Sequence, residues 1–168
     1  MTTVDELTEF AQLATLGRAE LRVLARIGRD VSFPAGQRLI TEGDSAQRCW
    51  LIRRGRIVLD AHVPGQGDVV VQTLGAGDVL GWSWLVPPYR WRSGARAAEP
   101  VEAIEFDTEV LTQFASADAE FGRALILMLF EALLDRMQAT RARLLDMYRN
   151  PGETCTHAPY SADVRGNS

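Results

Sequence analysis

A chain of 168 residues accommodates one ordinary domain with length to spare for terminal helices. Its 46% hydrophobic and 24% charged residues allow a core that needs neither metal nor disulfide support. A net charge of −4 disfavours non-specific nucleic-acid binding, and since all 18 basic residues are Arg, Schiff-base, P-loop and Ser–Lys lysine chemistries are excluded.

The N-terminus carries Asp5, Glu6 and Glu9 where a signal peptide has a basic region and an apolar run, so it does not read as one. Within Asp5–Leu16, residues Leu7, Phe10, Leu13, Ala14 and Leu16 fall at helical spacing. Leu21, Leu24 and Ile27 continue it within Ala19–Ile27, which predicts two short helices broken near Gly17 and a helical segment over 1–30. The period then changes. Short β-rich runs occupy Val31–Phe33, Gln37–Ile40, Cys49–Arg53, Gly55–Ala61, Val69–Leu74, Ala95–Ala98 and Val101–Phe106. Turn signals separate them, among them Pro34-Ala35-Gly36, Glu42-Gly43-Asp44 and Gly75-Ala76-Gly77-Asp78. Regular strand spacing of this kind predicts a mainly β barrel over 31–107 rather than a parallel α/β sheet.

From Asp107 the helical period returns and holds over 108–149. Asp107 or Thr108 is placed to cap a short helix through Phe114, and Ser116 or Asp118 a longer one reaching Tyr148. On the long helix Leu127, Phe130, Leu134, Met137, Leu144 and Tyr148 alternate at three and four, interrupted only by Arg141. That seam suits either a second copy of the chain or the chain's own barrel. Length favours a homodimer, because such a helix would reach roughly 45 Å and outrun a small barrel. The polar tail over 150–168 is expected to be disordered.

Cys49 and Cys155 make neither a metal-type nor a redox pair, which fits a reducing cytoplasm. The most apolar stretch, Ala124–Leu134, is interrupted by Glu131 and too short to span a bilayer, so no membrane association is expected. His62 and His157 are isolated, Asp44 and Asp78 read as turn residues, and Ser83 has no histidine near in sequence to activate it. No catalytic constellation or metal set can be assembled from these residues, and an enzyme is not expected. Trp82, Trp84, Tyr89 and Trp91 crowd together, interleaved with Arg90 and Arg92. They read either as a stacking platform with arginines for phosphate or as a hydrophobic plug.

The ordered series of motifs resembles the cyclic-nucleotide-binding domains of the Crp/Fnr (catabolite activator-like) family. Val31–Leu59 contains F-P-A-G, then E-G-D, then L-I-R-R-G-R-I, similar to the family's opening barrel strands. Leu74–Leu85, L-G-A-G-D-V-L-G-W-S-W-L, looks like the entry to the phosphate-binding cassette, and R-M-Q-A-T-R at Arg136–Arg141 resembles a run on the family's long helix. The resemblance implies a jelly-roll (double-stranded β-helix, cupin-like) barrel followed by a long C-terminal helix. It places a ligand among Gly81, Trp82, Ser83, Trp84, Leu85, Arg92, Ser93 and Arg96, with Thr140 at a base-touching position and Arg141 beside it.

The functional pattern departs from the family's. Where the family has a Glu for the ribose hydroxyl, Trp82 stands, and Trp84 takes the place of a small residue. The phosphate-pairing Arg corresponds to Trp91 or, with a one-residue deletion, to Arg92 followed by Ser93. Losing the Glu removes a contact worth about 1.5–3 kcal/mol. Arg92 and Arg96 would still favour an anion, or they are solvated or paired with Glu99 or Glu102.

The expected function is a non-enzymatic ligand sensor with no firm cofactor, taking a cyclic nucleotide or other small anion. The alternatives are a degenerate scaffold that binds a protein partner and a sensing subunit of a transcription-regulatory complex. In family regulators a helix-turn-helix follows the long helix. Only a short polar segment follows here, so direct DNA binding is not expected.

Overall fold

Eight strands carry the centre of the chain in the computed structural model, which describes residues 1–149. Its contacts divide the chain into two compact units, Met1–Leu133 and Leu134–Ser168, and the division falls inside the last helix. The tail expected to be disordered lies outside the described residues, as do Cys155 and His157.

The first unit opens with α1 (Val4–Thr8), a 3-10 turn (Ala11–Leu13) and α2 (Arg18–Ile27). The single helix expected over Asp5–Leu16 is therefore divided. Thr3 and Glu6 form a reciprocal capping box at the start of α1, and Phe10 adopts extended backbone before the 3-10 turn. The apolar spacing survives the break, because Leu7, Leu13 and Leu16 are all buried. Arg53 ties this segment to the barrel, its Nη2 donating to Glu6 and Thr2 at 3.1 Å each and pairing with Asp30 at 2.9 Å.

The strands are β1 (Arg29–Phe33), β2 (Arg38–Ile40), β3 (Arg48–Arg54), β4 (Ile57–Val63), β5 (Gly67–Leu74), β6 (Val79–Leu80), β7 (Gly94–Ala97) and β8 (Val101–Asp107). They form two four-stranded antiparallel sheets, ordered β1-β8-β3-β6 and β2-β7-β4-β5. This is the jelly roll the motifs imply. β6 was not anticipated, since two residues are too few to show an alternation. Alternation is clear on β7, where Ala95 and Ala97 are fully buried and Arg96 between them is exposed. At the turn after β3, Gly55 adopts φ +87°, and a Cβ there would lie 2.3 Å from the Pro100 carbonyl oxygen, so no other residue fits.

Two helices follow, α3 (Thr108–Ala117) and α4 (Ala119–Arg149). Asp107 caps α3, accepting from the backbone N–H groups of Glu109 and Val110, and Asp118 caps α4 through those of Glu120 and Phe121. α3 runs three residues beyond the expected end at Phe114. The first turns of α4 bury Phe121, Leu125, Met128 and Leu129 in the common core, and Ala132 is buried beyond them. Among the described residues no helix is long and apolar enough to cross a membrane.

Candidate functional site

β6 delivers the chain to the cassette. It pairs with β3 through Trp50↔Leu80 and Leu51↔Val79, and the next residue, Gly81, takes φ +95°. A 3-10 turn (Ser83–Leu85) follows, and the indole Nε1 of Trp84 donates back to the Gly81 carbonyl at 3.1 Å. The returning segment is zipped to the loop after β2. Trp91 N–H donates to the Asp44 carbonyl, Gly43 N–H to the Trp91 carbonyl and Ala46 N–H to the Tyr89 carbonyl, each at 2.9 Å. Arg90 Nη1 adds a bond to the Gly43 carbonyl at 2.8 Å.

This frame fixes where Trp91 points. Its ring is 8% exposed and stacks on Trp50 with centroids 6.1 Å apart. It also fills the space above Gly81, where a Cβ would lie 2.8 Å from Trp91 Cη2 and 3.1 Å from the Arg48 carbonyl oxygen. Phe33 meets the other side of the cluster edge-on, 6.5 Å from Trp50.

Trp50 is anchored in turn by a buried carboxylate. Its Nε1 donates to Glu105 Oε2 at 3.0 Å, while Arg29 and Arg48 both donate to Glu105 Oε1. Burial opposes the charge of Glu105, but hydrogen bonds from Arg29, Trp50 and Arg48 outweigh it and hold the carboxyl below the usual carboxylate range. A second charged pair lies on the other sheet. Arg38 grips Asp60 with two bonds of 3.0 and 3.2 Å, and Gly94 leaves the room for it, since a Cβ there would lie 2.1 Å from Asp60 Oδ1.

The expected site residues separate under this geometry. Gly81, Ser83 and Trp84 are buried, Trp82 and Leu85 half-buried. Of the four crowded aromatics, Trp84 and Trp91 are therefore the buried pair, while Trp82 is half-buried and Tyr89 exposed. Arg92 and Arg96 are exposed, and neither forms an ion pair among the described residues, so neither is paired with Glu99 or Glu102. Glu99 pairs with Arg56 instead, at 2.8 Å. Ser93 is half-buried, and Arg96 faces away from the interior that Ala95 and Ala97 enter. Thr140 and Arg141 lie on exposed turns of α4 in the second unit, where the Thr140 hydroxyl donates to its own helix at the Arg136 carbonyl, 2.9 Å away. Asp78 holds its turn, accepting from Gly75 N–H at 2.8 Å.

Sequence reasoning missed Trp50 and Glu105. Their signal was present: Glu105 stands in the apolar run A-I-E-F of β8, where a strand buried on both faces leaves a carboxylate no route to water. Burial, with Glu105 and Asp107 nearby, pushes the Cys49 thiol up to about 12, so it stays protonated. Among the described residues no three His, Cys, Asp or Glu are grouped to hold a metal. Outside the plug, two open grooves of about 660 and 440 Å³ flank the cassette, sharing Trp84, Tyr89, Thr112 and Ser116.

Known proteins share the fold. Over 117 residues the chain is 23% identical to a CRP-like cAMP-activated global transcriptional regulator of Mycobacterium tuberculosis, covering 70% of this chain and 50% of that protein. It thus spans about half the length of the curated relatives it matches. A putative cyclic nucleotide-binding protein from Geobacter metallireducens superposes with TM-score 0.74 at 26% identity, covering 82% of this chain and 99% of that one. The regulatory domain of Toxoplasma gondii PKA, crystallised with cAMP, shares the fold at TM-score 0.65 and 18% identity, covering 77% of this chain and 48% of that one. The family model of the cyclic nucleotide-binding domain matches residues 30–118, from β1 to the end of α3, and the chain belongs to that family.

Proposed function

We propose that this chain is a non-enzymatic regulatory module of the cyclic nucleotide-binding fold that works without cyclic AMP and pairs with a second copy through α4. One observation carries this reading: the Trp91 ring lies against Gly81 and on Trp50, where the family resemblance calls for a phosphate-pairing Arg. Trp82 takes the place of the ribose-binding Glu, so that charge-assisted contact is missing, and Arg92, the other position the phosphate-pairing Arg could take, is exposed.

Titration calorimetry of the purified protein with cyclic AMP is expected to show no binding up to millimolar nucleotide. Heat saturating at micromolar concentration would overturn the closed-cassette reading. Sustained hydrolysis of the nucleotide would overturn the non-enzymatic one.

Exposure along α4 supports self-association. Leu127, Phe130, Met137, Leu144 and Tyr148 are all exposed and Leu134 is half-buried, while Leu125, Met128 and Leu129 meet the barrel core. Light scattering is expected to give the mass of a dimer, and Phe130→Asp with Met137→Asp the mass of a monomer. A monomeric wild type would exclude the shared seam.

A second reading rests on Arg92 and Arg96, exposed and without an ion pair among the described residues. A small anion bound there, outside the closed interior, would make the module a sensor of a different ligand.

A further inference from the structure

Outside the cassette the two grooves lie side by side and share Trp84, Tyr89, Thr112 and Ser116, so together they form one candidate channel. Its floor is a stripe of α3, where Glu109, Thr112 and Ser116 recur at the three- and four-residue spacing of one helix face. Its wall is the cassette tip, Trp84 and Tyr89, which lines both grooves. The Tyr89 ring is 51% exposed, and its backbone stands at φ +56°, a left-handed conformation unusual for a bulky residue. The backbone bonds that zip the cassette to the loop after β2 hold it there. At the far end α4 contributes Arg123 and Ile126, the latter 56% exposed.

Charge divides this channel. Glu109 stands in the groove at the start of α3 and Arg123 in the one at the start of α4, and neither forms an ion pair among the described residues. The nearby carboxylate of Asp118 is occupied in capping α4. An apolar, aromatic-walled middle with an acid at one end and a base at the other matches a short peptide segment of opposite polarity. From Glu109 to Ser116 the floor runs roughly 10 Å at about 1.5 Å per residue, and it continues past the corner. About three extended residues fill the stretch along α3, and more are needed where it continues past the corner.

We propose that the groove between the cassette tip and α3 docks a segment of a partner protein, with apolar residues seated against Tyr89, Trp84 and Ile126. A basic residue of that segment faces Glu109 and an acidic one Arg123. The proposal rests on the reading of the chain as a regulatory module, and it names the partner surface that a module closed to cyclic AMP would use.

The test is selection of twelve-residue peptides from a displayed random library on the purified protein, followed by fluorescence polarisation with the enriched peptides made synthetically. Enriched peptides are expected to carry an apolar centre flanked by one basic and one acidic residue. Tyr89→Asn removes the ring yet suits the left-handed backbone, and it is expected to weaken binding at least tenfold while the thermal melt stays cooperative. Glu109→Arg with Arg123→Glu is expected to reverse the preferred order of the peptide charges. Peptides without this pattern, peptides that bind the Tyr89→Asn protein equally, or a selection yielding no binder would each overturn the proposal. Self-association lost on Tyr89→Asn would assign the groove to a second copy and overturn it too. Cyclic AMP binding in the calorimeter would instead sink the closed-cassette reading, so the two failures are distinguishable.

Discussion

Trp91→Ala is expected to destabilise the protein by about 3–5 kcal/mol, the range for truncating a large buried aromatic. The lower end applies where surroundings can collapse into the space left, and here they are hindered. The backbone at Trp91 is held on both sides by bonds to Asp44 and Gly43, and the far walls of the site are Gly81 and the Trp50 ring. Neither a rigid glycine corner nor an indole pinned by Glu105 moves readily into the void. Trp82→Ala removes a half-buried ring of the same size, so it is expected to cost clearly less. Urea unfolding of the two variants measures both quantities. Equal losses would show that the aromatic cluster is not centred on Trp91, and a near-neutral Trp91→Ala would show that the cassette interior is not closed by this ring.

Glu105→Ala is expected to cost about 2–3 kcal/mol, because it strips the acceptor from a buried indole N–H and the counter-charge from two arginines. The figure stays below that for a fully buried ion pair. The Arg29 and Arg48 side chains are 66% and 48% exposed, and water compensates them when the carboxylate is gone. The effect also carries a pH signature. A carboxyl whose folded pKa is depressed contributes its stability fully above its unfolded value, about 4.3 for Glu, and loses it as pH falls through the lower folded value. The stability gap between wild type and Glu105→Ala is therefore expected to be constant near neutrality and to narrow below about pH 4. Unfolding curves from pH 7 down to pH 3 decide this. A gap that widens on acidification would mean that the folded protein holds Glu105 protonated.

These two residues show where reading the chain by itself succeeds and where it stops. Strand periodicity and turn residues are local properties, and they were enough for a mainly β barrel followed by a long helix; the jelly roll was what the resemblance carried by the ordered motifs implied. The caps at Asp107 and Asp118 were legible for the same reason, since each acts on backbone two and three residues away. β6 was not legible, because its two residues become a strand only through Trp50 and Leu51 on β3. The aromatic crowding between Trp82 and Trp91 was plain in the sequence, but which rings turn inward was not. That choice depends on the loop after β2, whose carbonyls and N–H groups orient Trp91 from more than forty positions away.

The sequence by itself determined the barrel-plus-helix plan through short-range pattern, and the family resemblance through its ordered motifs, with Trp82 standing in place of the ribose-binding Glu. Only the tertiary structure decided that the Trp91 ring turns inward onto Trp50 and Gly81, that Arg92 and Arg96 stay exposed, and that Glu105 is a buried anchor rather than a surface charge. Each of those outcomes is set by packing between segments far apart in the chain. Burial, stacking and the depressed acidity of a carboxyl exist only once the two sheets and the cassette have come together.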